Sequence, residues 1–395
     1  MGSEMCIRDR DKVPFKINES QNAERLFGGN LSISASQLEK FNLCRFSYFC
    51  NYGLNVRERL KAEINPMQYG TIVHYILERF FREYSKEQYS VMDKDELSKI
   101  FSTYISEYAA AHFGEVQTKQ NSFMYRIKLI LENVLRLVKH TIDELTQSEF
   151  FVTDCELKIG EDVPSYTVVL PDGHKIAVCG SVDRVDIMQK NGTTYLRVID
   201  YKTGSKEFKL SDVLYGINLQ MLLYLHSIEV SGSDRYGDII PAGILYMPAT
   251  VPYISSDSLK SIDKLPDELN KKLKMNGLLL KDTEIIHGMD KTDAATYIPV
   301  KIKAGEPVSS TSLATLEEFG KIFQKVDMLI AEMGKNIYNG NIEARPLKGG
   351  HDSCEYCPYD SVCAYRRSNP INCFSVDNKT VIEEITNEIN GKEEE

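Results

Sequence analysis

Asp200 and Lys202, in the stretch VIDYKTG at 198–204, stand two residues apart. At that spacing the side chains of a β-strand point the same way. Leu196 and Val198 precede them in the same row, so an apolar row ends in a carboxylate and an ammonium just before Gly204. Taken alone, D-x-K at a strand end is a solvent-facing ion pair. A second segment changes its weight. In CGSVDRVDI, Cys179, Ser181, Asp183 and Val185 share one strand face, and Gly180 leaves room for another group against the backbone. Asn191-Gly192 lies between the two segments as a tight-turn signal. The strands are therefore expected to pair and to bring two carboxylates and a lysine to one end of a sheet. Such a group suits a hard divalent cation, since Mg²⁺ takes carboxylate oxygens and keeps waters. The cation can generate hydroxide and shield charge building on a phosphate, while the lysine steadies the attacking water.

Other residues gain meaning only beside this group. Gln220 and Tyr224 are four apart on an expected helix over about 211–229, hence neighbours on one face. His74 edges the apolar stripe Val73, Ile76, Leu77, Phe80, Phe81 of a helix expected to start near Gly70. Alone, the first pair is a polar stripe and the second a histidine flanking an apolar face.

The elements that must hold these residues read as follows. LSISASQLEK predicts a short strand, an N-cap at Ser34 or Ser36, and a helix. Residues 92–147 read as wholly helical, with Ile127, Ile130, Leu131, Val134, Leu135 and Val138 in register. From 151 the period becomes two, and FVTDCELKIG, YTVVLPDG, KIAVCGSVDRVDIMQKNG and TTYLRVIDYKTG read as a meander turning at Asp172-Gly173 and Asn191-Gly192. A helix and the apolar strand AGILYMP follow, which makes a mixed α/β core. Residues 250–315 are lysine-rich and irregular, with NGLLL and ATYIPV as short ordered pieces and no chemistry attached. A helix over about 315–339 leads to a cysteine-rich segment. The acidic, amphipathic stretch after Cys373 reads as peripheral.

A chain of 395 residues, 42% hydrophobic and 26% charged, is long enough for one large core or two. No apolar run approaches a membrane span and the N-terminus lacks a secretory pattern, so a cytoplasmic protein is expected. The opening MGSEMCIRDRDKVPF has no periodicity, and residues 1–30 are set aside as a doubtful start. The net charge of -10 argues against coating nucleic acid through an overall field, but leaves room for a local basic channel.

Nine cysteines without a secretion signal point away from disulfides. CEYCPYDSVC sets Cys354, Cys357 and Cys363 in a C-x2-C-x5-C pattern within reach of one metal centre, and Cys44 is the expected fourth ligand, with Cys50 and Cys373 as substitutes. Cys155 and Cys179 lie in strand patterns and read as core. By spacing alone, zinc and an iron-sulfur cluster are equally good occupants.

In that order along the chain, GTIVH, GSVDRVD, VIDYKTG and QMLLY resemble the four motifs of the RecB-type branch of the PD-(D/E)XK nucleases. The resemblance implies that His74, Asp183 and Asp200 bind Mg²⁺ (or Mn²⁺), that Lys202 is the catalytic lysine, and that Gln220 and Tyr224 face the scissile strand. A distant N-terminal cysteine with a C-terminal C-x2-C-x5-C is similar to the iron-staple nucleases, which implies a [4Fe-4S] cluster on Cys44, Cys354, Cys357 and Cys363. Over about residues 30–370 the likeness extends to the nuclease region of AddAB-type helicase-nucleases. What it implies is a restriction-endonuclease-like α/β fold, a deoxyribonuclease acting on the 5′-ended single strand of DNA at double-strand breaks, and an AddA-type subunit as partner.

On this basis residues 31–373 are expected to form one nuclease domain. Within it lie a helical insertion (92–147), a catalytic α/β core (151–247) and a cysteine-rich staple (340–373), followed by an acidic tail (374–395). No G-x4-G-K-[ST] loop is present to hold a nucleotide, and the resemblance implies that the chain is a C-terminal fragment of a longer subunit or the product of a gene model cut at its 5′ end. Two other readings compete: a stand-alone RecB-like exonuclease, and a stapled DNA-binding or docking module without catalysis. The second would use Arg45, Tyr48, Arg57, Arg59, Lys348, Arg366 and Arg367 as a phosphate-tracking groove.

Overall fold

The computed structural model describes residues 16–57, 66–112, 121–204, 207–250, 265–309, 311–363 and 370–393. Strand β1 (Leu31–Ile33) runs into helix α1 (Ala35–Leu43) through a capping box in which the Ser34 hydroxyl and the Gln37 side chain satisfy each other's backbone N–H groups. Three long helices follow: α2 (Pro66–Glu83), α3 (Lys94–His112) and α4 (Asn121–Thr146). Then come β2 (Phe151–Ile159), β3 (Thr167–Val169), β4 (Lys175–Val178), β5 (Gly180–Lys190) and β6 (Thr193–Lys202). Helix α5 (Gln220–Ser231) carries the chain over to β7 (Ile239–Pro248), parallel to β6. Beyond it lie α6 (Leu265–Leu273), β8 (Asn276–Leu280), the hairpin of β9 (Lys301–Lys303) and β10 (Glu306–Val308), and β11 (Leu313–Ala314). The chain closes with α7 (Leu316–Tyr338), β12 (Leu347–Gly349), β13 (Ile371–Cys373) and α8 (Asn378–Glu393).

A six-stranded mixed sheet of order β11-β8-β7-β6-β5-β2 is the scaffold. The β5–β6 hairpin turns on Asn191 and Gly192, both at positive φ (52° and 82°), as a two-residue turn with matching twist requires. Its register pairs Val185 with Val198 and Arg184 with Ile199, so Asp183 and Asp200 come next at the same end of the sheet. Helix α5 is apolar nearly all round, and Met221 to Ile228 are buried without a break, as expected for a helix enclosed on all sides. Leu222, Leu223 and Leu225 are fully buried, each contributing about 2 kcal/mol by removal from water. Helices α3 and α4 supply the expected helical layer, with Ile130, Val134 and Val138 in the core. Among the described residues no helix is long and apolar enough to cross a membrane.

Several expectations are corrected. The four period-two segments do not form one meander: β3 and β4 leave the main sheet and join β1 in a separate sheet of order β1-β4-β3. KIAVCGSVDRVDIMQK accordingly breaks at Cys179, whose N–H reaches the Ile33 carbonyl at 2.8 Å before Gly180 begins β5. Helix α2 is already formed at Pro66 rather than starting near Gly70. The expected helix over 211–229 is a 3₁₀ segment, Leu210–Tyr215, ended by Gly216 at φ 69°, and then α5. ATYIPV forms no strand. The acidic C-terminal stretch is not peripheral: α8 buries Val381 and Ile385, four apart on one face, and Lys325 of α7 bonds Glu388 at 2.5 Å.

Candidate active site

Three adjacent strands place a carboxylate each in one row. Cys155 pairs with Arg184 and Leu157 with Val182, so Glu156 of β2 lies across the ladder from Asp183 of β5. Asp183 in turn neighbours Asp200 of β6. Glu156 has φ 51° inside a strand, a left-handed backbone conformation that a non-glycine residue adopts at a cost of about 1–3 kcal/mol. Strain of this kind gathers where a side chain must be aimed.

His74, projecting from α2, meets this row. Its Nδ1 lies 3.4 Å from Glu156 Oε1 and 3.5 Å from Asp183 Oδ2, and its Nε2 lies 3.2 Å from the Tyr201 carbonyl. Ligand atoms of His74, Glu156 and Asp183 all lie within 4.8 Å of one another. Burial opposes charge on the imidazole, but the Glu156 bond and the Asp183 carboxylate outweigh it and raise the His74 pKa. Burial, then the charge of Asp200, raises the Asp183 carboxyl, while His74 lowers Glu156. One imidazole and two carboxylates, crowded and half-enclosed, are a fitting donor set for a divalent cation of the Mg²⁺ or Mn²⁺ kind.

Asp200 and Lys202 share a face, as their spacing requires. Lys202 Nζ sits 2.9 Å and 2.7 Å from the two Asp200 oxygens. Gln220, first residue of α5, donates to Asp200 Oδ1 at 3.0 Å and accepts from Lys202 at 3.4 Å, clamping the pair. Asp200 is nearly enclosed, with 3% of its side chain exposed, whereas Lys202 keeps 27%. Asp200 therefore faces Lys202 and Gln220, and the trio around His74 contains Glu156 in addition to the expected His74 and Asp183. Tyr224 lies one turn beyond Gln220 and is buried, which excludes the plain polar stripe. Its ring covers Gly180 so closely that a Cβ there would stand 2.4 Å from the phenol oxygen. Burial raises the Tyr224 phenol, with the charges of Asp183 and Asp200 adding to the effect, so it stays a proton donor.

Under the row lies a fully buried ionic network that the motifs do not announce. Arg184 makes a two-pronged bond to Asp186 (both 2.9 Å), and Arg197 joins Asp186 to Glu144. Arg184 also donates to the Tyr201 hydroxyl at 3.2 Å. Tyr201 matters because its N–H holds Asp183 at 2.9 Å while its carbonyl meets His74. The network thus fixes the backbone that orients both. Arg184→Met should lower stability by about 3–5 kcal/mol, since it strands buried carboxylates; urea unfolding of parent and variant measures this.

The cysteines converge elsewhere. Cys44, Cys354, Cys357 and Cys363 line one cavity of about 210 Å³, together with Phe46 and Lys348. Cys50 is buried beside Cys44 without lining it, and Cys373 packs away from it with Ile217 and Leu347. All the described cysteines are free thiols. The four share that cavity, but no three of their sulfurs lie within 4.8 Å of one another, as the ligand atoms of His74, Glu156 and Asp183 do. Of the residues expected to line a phosphate-tracking groove, Tyr48 is core, stacked on Phe27, while Arg45 is tied to Glu332 and Lys348 to Asp352. Arg57 is exposed; Arg59, Arg366 and Arg367 lie outside the described residues.

Sequence relatives agree with this chemistry. The chain is 33% identical over 360 residues to an ATP-dependent helicase/deoxyribonuclease subunit of Clostridium acetobutylicum, covering 87% of this chain and 31% of that protein. To the protein of the same name from Thermoanaerobacter sp. (strain X514) it is 33% identical over 383 residues, 94% of this chain and 33% of the relative. The counterpart from Clostridium botulinum (strain Loch Maree) gives 34% over 360 residues, 89% and 31%. The chain thus spans about a third of these relatives' length. The family model of the PD-(D/E)XK nuclease superfamily matches residues 32–364, from β1 through the last cysteine of the cavity. With its carboxylate row, D-x-K strand and adjoining histidine, the chain belongs to the PD-(D/E)XK nuclease superfamily.

Proposed function

We propose that the chain is the nuclease domain of an AddAB-type helicase-nuclease. In this reading it is a Mg²⁺-dependent deoxyribonuclease that degrades the 5′-ended single strand at double-strand breaks for recombinational repair, in the cytoplasm, with an AddA-type subunit as partner. The observation that carries the reading is the meeting of Glu156, Asp183 and Asp200, from three adjacent strands, with His74 and Lys202 at one sheet end. The names of the relatives support the assignment to a helicase-nuclease.

His74, Glu156 and Asp183 would hold the cation, with Asp200 beside them. When bound, it supplies an activated water and charge shielding on the phosphate. Hydrolysis joins a water oxygen to phosphorus and breaks one P–O bond to a sugar; the water loses a proton and the sugar oxygen gains one. Lys202 offers an ammonium to the attacking water or to the charge gathering on phosphate. Asp200 and Gln220 fix that ammonium, and Tyr224 stays protonated as a donor facing the strand. Glu156→Gln removes one anionic oxygen donor and should weaken cation affinity at least as much as the about 10–100-fold that follows loss of a ligand's outer-shell partner, as measured by calorimetric titration with Mn²⁺. Unchanged affinity would remove Glu156 from the site.

Cys44, Cys354, Cys357 and Cys363 would carry a [4Fe-4S] cluster with a structural role, joining the start of the domain (31–373) to its end. Degradation of single-stranded DNA by the anaerobically purified chain with Mg²⁺ and no ATP tests the reading as a whole.

A further inference from the structure

A cleft of about 1090 Å³ opens beside Lys202. It is lined by Lys271, Lys272 and Lys274 at the end of α6, by Lys301 and Lys303 of β9, and by Lys202 itself, with Glu207 as its acidic lining residue. In a chain of net charge -10, six lysines against one carboxylate among the described lining residues is a sharp local reversal of sign. Lys271, Lys272, Lys301 and Lys303 are exposed. Among the described residues, Lys271, Lys301 and Lys303 have no carboxylate within ion-pair distance. Like charges held together repel and cost folding stability, so for Lys271, Lys301 and Lys303 an anion from outside accounts for the arrangement better than the fold does. The arrangement is built rather than accidental: Lys274 donates to the Val300 carbonyl at 2.9 Å, locking the end of α6 to the approach of β9. Met275, Val300 and Val308 add apolar wall between the ammonium groups.

We propose that this cleft is the track along which the backbone of single-stranded DNA runs to the carboxylate row. The inference rests on the nuclease reading above and extends it to a binding site. Lys202 lines the cleft and bonds Asp200, so the track ends at the chemistry. A positively charged groove of this kind follows phosphates without reading bases. Single-stranded DNA is the fitting form because the carboxylates are recessed: Asp183 and Asp200 keep 11% and 3% side-chain exposure. A separated strand, narrower and more flexible than a duplex, bends a phosphate into such a recess more readily.

The test is the affinity of the chain for fluorescein-labelled (dT)20, read by anisotropy in EDTA so that no cleavage occurs, across a salt series. The variant K271Q/K272Q/K301Q/K303Q is compared with K94Q/K99Q/K128Q/K139Q, which removes equal charge from α3 and α4. The cleft variant should bind about 10²-fold more weakly at low salt. The slope of log affinity against log salt should shrink by about 3, near 0.7 for each lost phosphate contact. The α3/α4 variant should bind like the parent. Equal losses in both variants would reduce the effect to net charge and overturn the proposal, as would an unchanged slope in the cleft variant. Parent binding to a 20-base-pair duplex as tight as to (dT)20 would overturn the single-strand assignment. Thermal melting confirms that both variants fold. The nuclease reading is read separately, from hydrolysis of bis-p-nitrophenyl phosphate by the parent and Lys202→Ala. A parent inert towards that diester with a cleft-dependent salt slope would sink the site while leaving the track.

Discussion

With the proposed [4Fe-4S] cluster on its four cysteines, Cys44→Ser should strip the visible iron-thiolate absorption from the protein and lower its urea and thermal midpoints together. Cys44 and Cys354 are about three hundred residues apart, and a link closing a loop of that length contributes about 5–6 kcal/mol in the chain-entropy model. Metal binding adds to this, because a four-thiolate site is held together only in the folded chain. Cys373→Ser, which lies away from the cavity, should keep the colour. A colourless but stable parent would point to zinc, and colour surviving in Cys44→Ser would remove Cys44 from the ligand set. Burial raises the Cys44 thiol, so without a cation that sulfur favours its protonated form.

Lys202→Ala should reduce DNA cleavage by about 10²–10³-fold or more while leaving fold and colour intact. Removing one donor aimed at developing charge has that effect in enclosed sites. The side chain is partly exposed and lines the lysine cleft, so its loss opens no core cavity. The neighbouring Asp200 then loses its ammonium partner and keeps the Gln220 amide. Single-turnover cleavage of labelled single-stranded DNA at saturating Mg²⁺ measures the chemical step. Parental rates in the variant would show that the ammonium does not act in the reaction.

The geometry of this site was legible wherever it depends on local period. Two-residue alternation put Asp200 and Lys202 on one face, Asn191-Gly192 set the hairpin that brings Asp183 beside Asp200, and four-residue spacing put Gln220 and Tyr224 together on α5. Glu156 escaped because its role depends on the pairing of β2 with β5, and on a positive φ that no residue type there announces. A signal existed in hindsight: FVTDCELKIG lies two short strands before the motif strand, and from Asp154 its alternate residues are polar. Arg184, Arg197, Asp186 and Glu144 escaped for the opposite reason, since charge reads as surface until a partner of opposite sign is found, and Glu144 is on a distant helix. The break at Cys179 follows from pairing with β1, far away in sequence. The lysines of 271–303 had no period to reveal them, and only the fold gathers them at Lys202.

The most direct measurement is the fate of 5′-labelled single-stranded DNA incubated with the anaerobically purified chain, without ATP, in Mg²⁺ and in EDTA. If the carboxylate row is a metal-dependent phosphodiesterase site, labelled DNA shortens in Mg²⁺, stays intact in EDTA, and stays intact with Lys202→Ala in either. Shortening that persists in EDTA, or intact DNA with a folded parent in Mg²⁺, would contradict it.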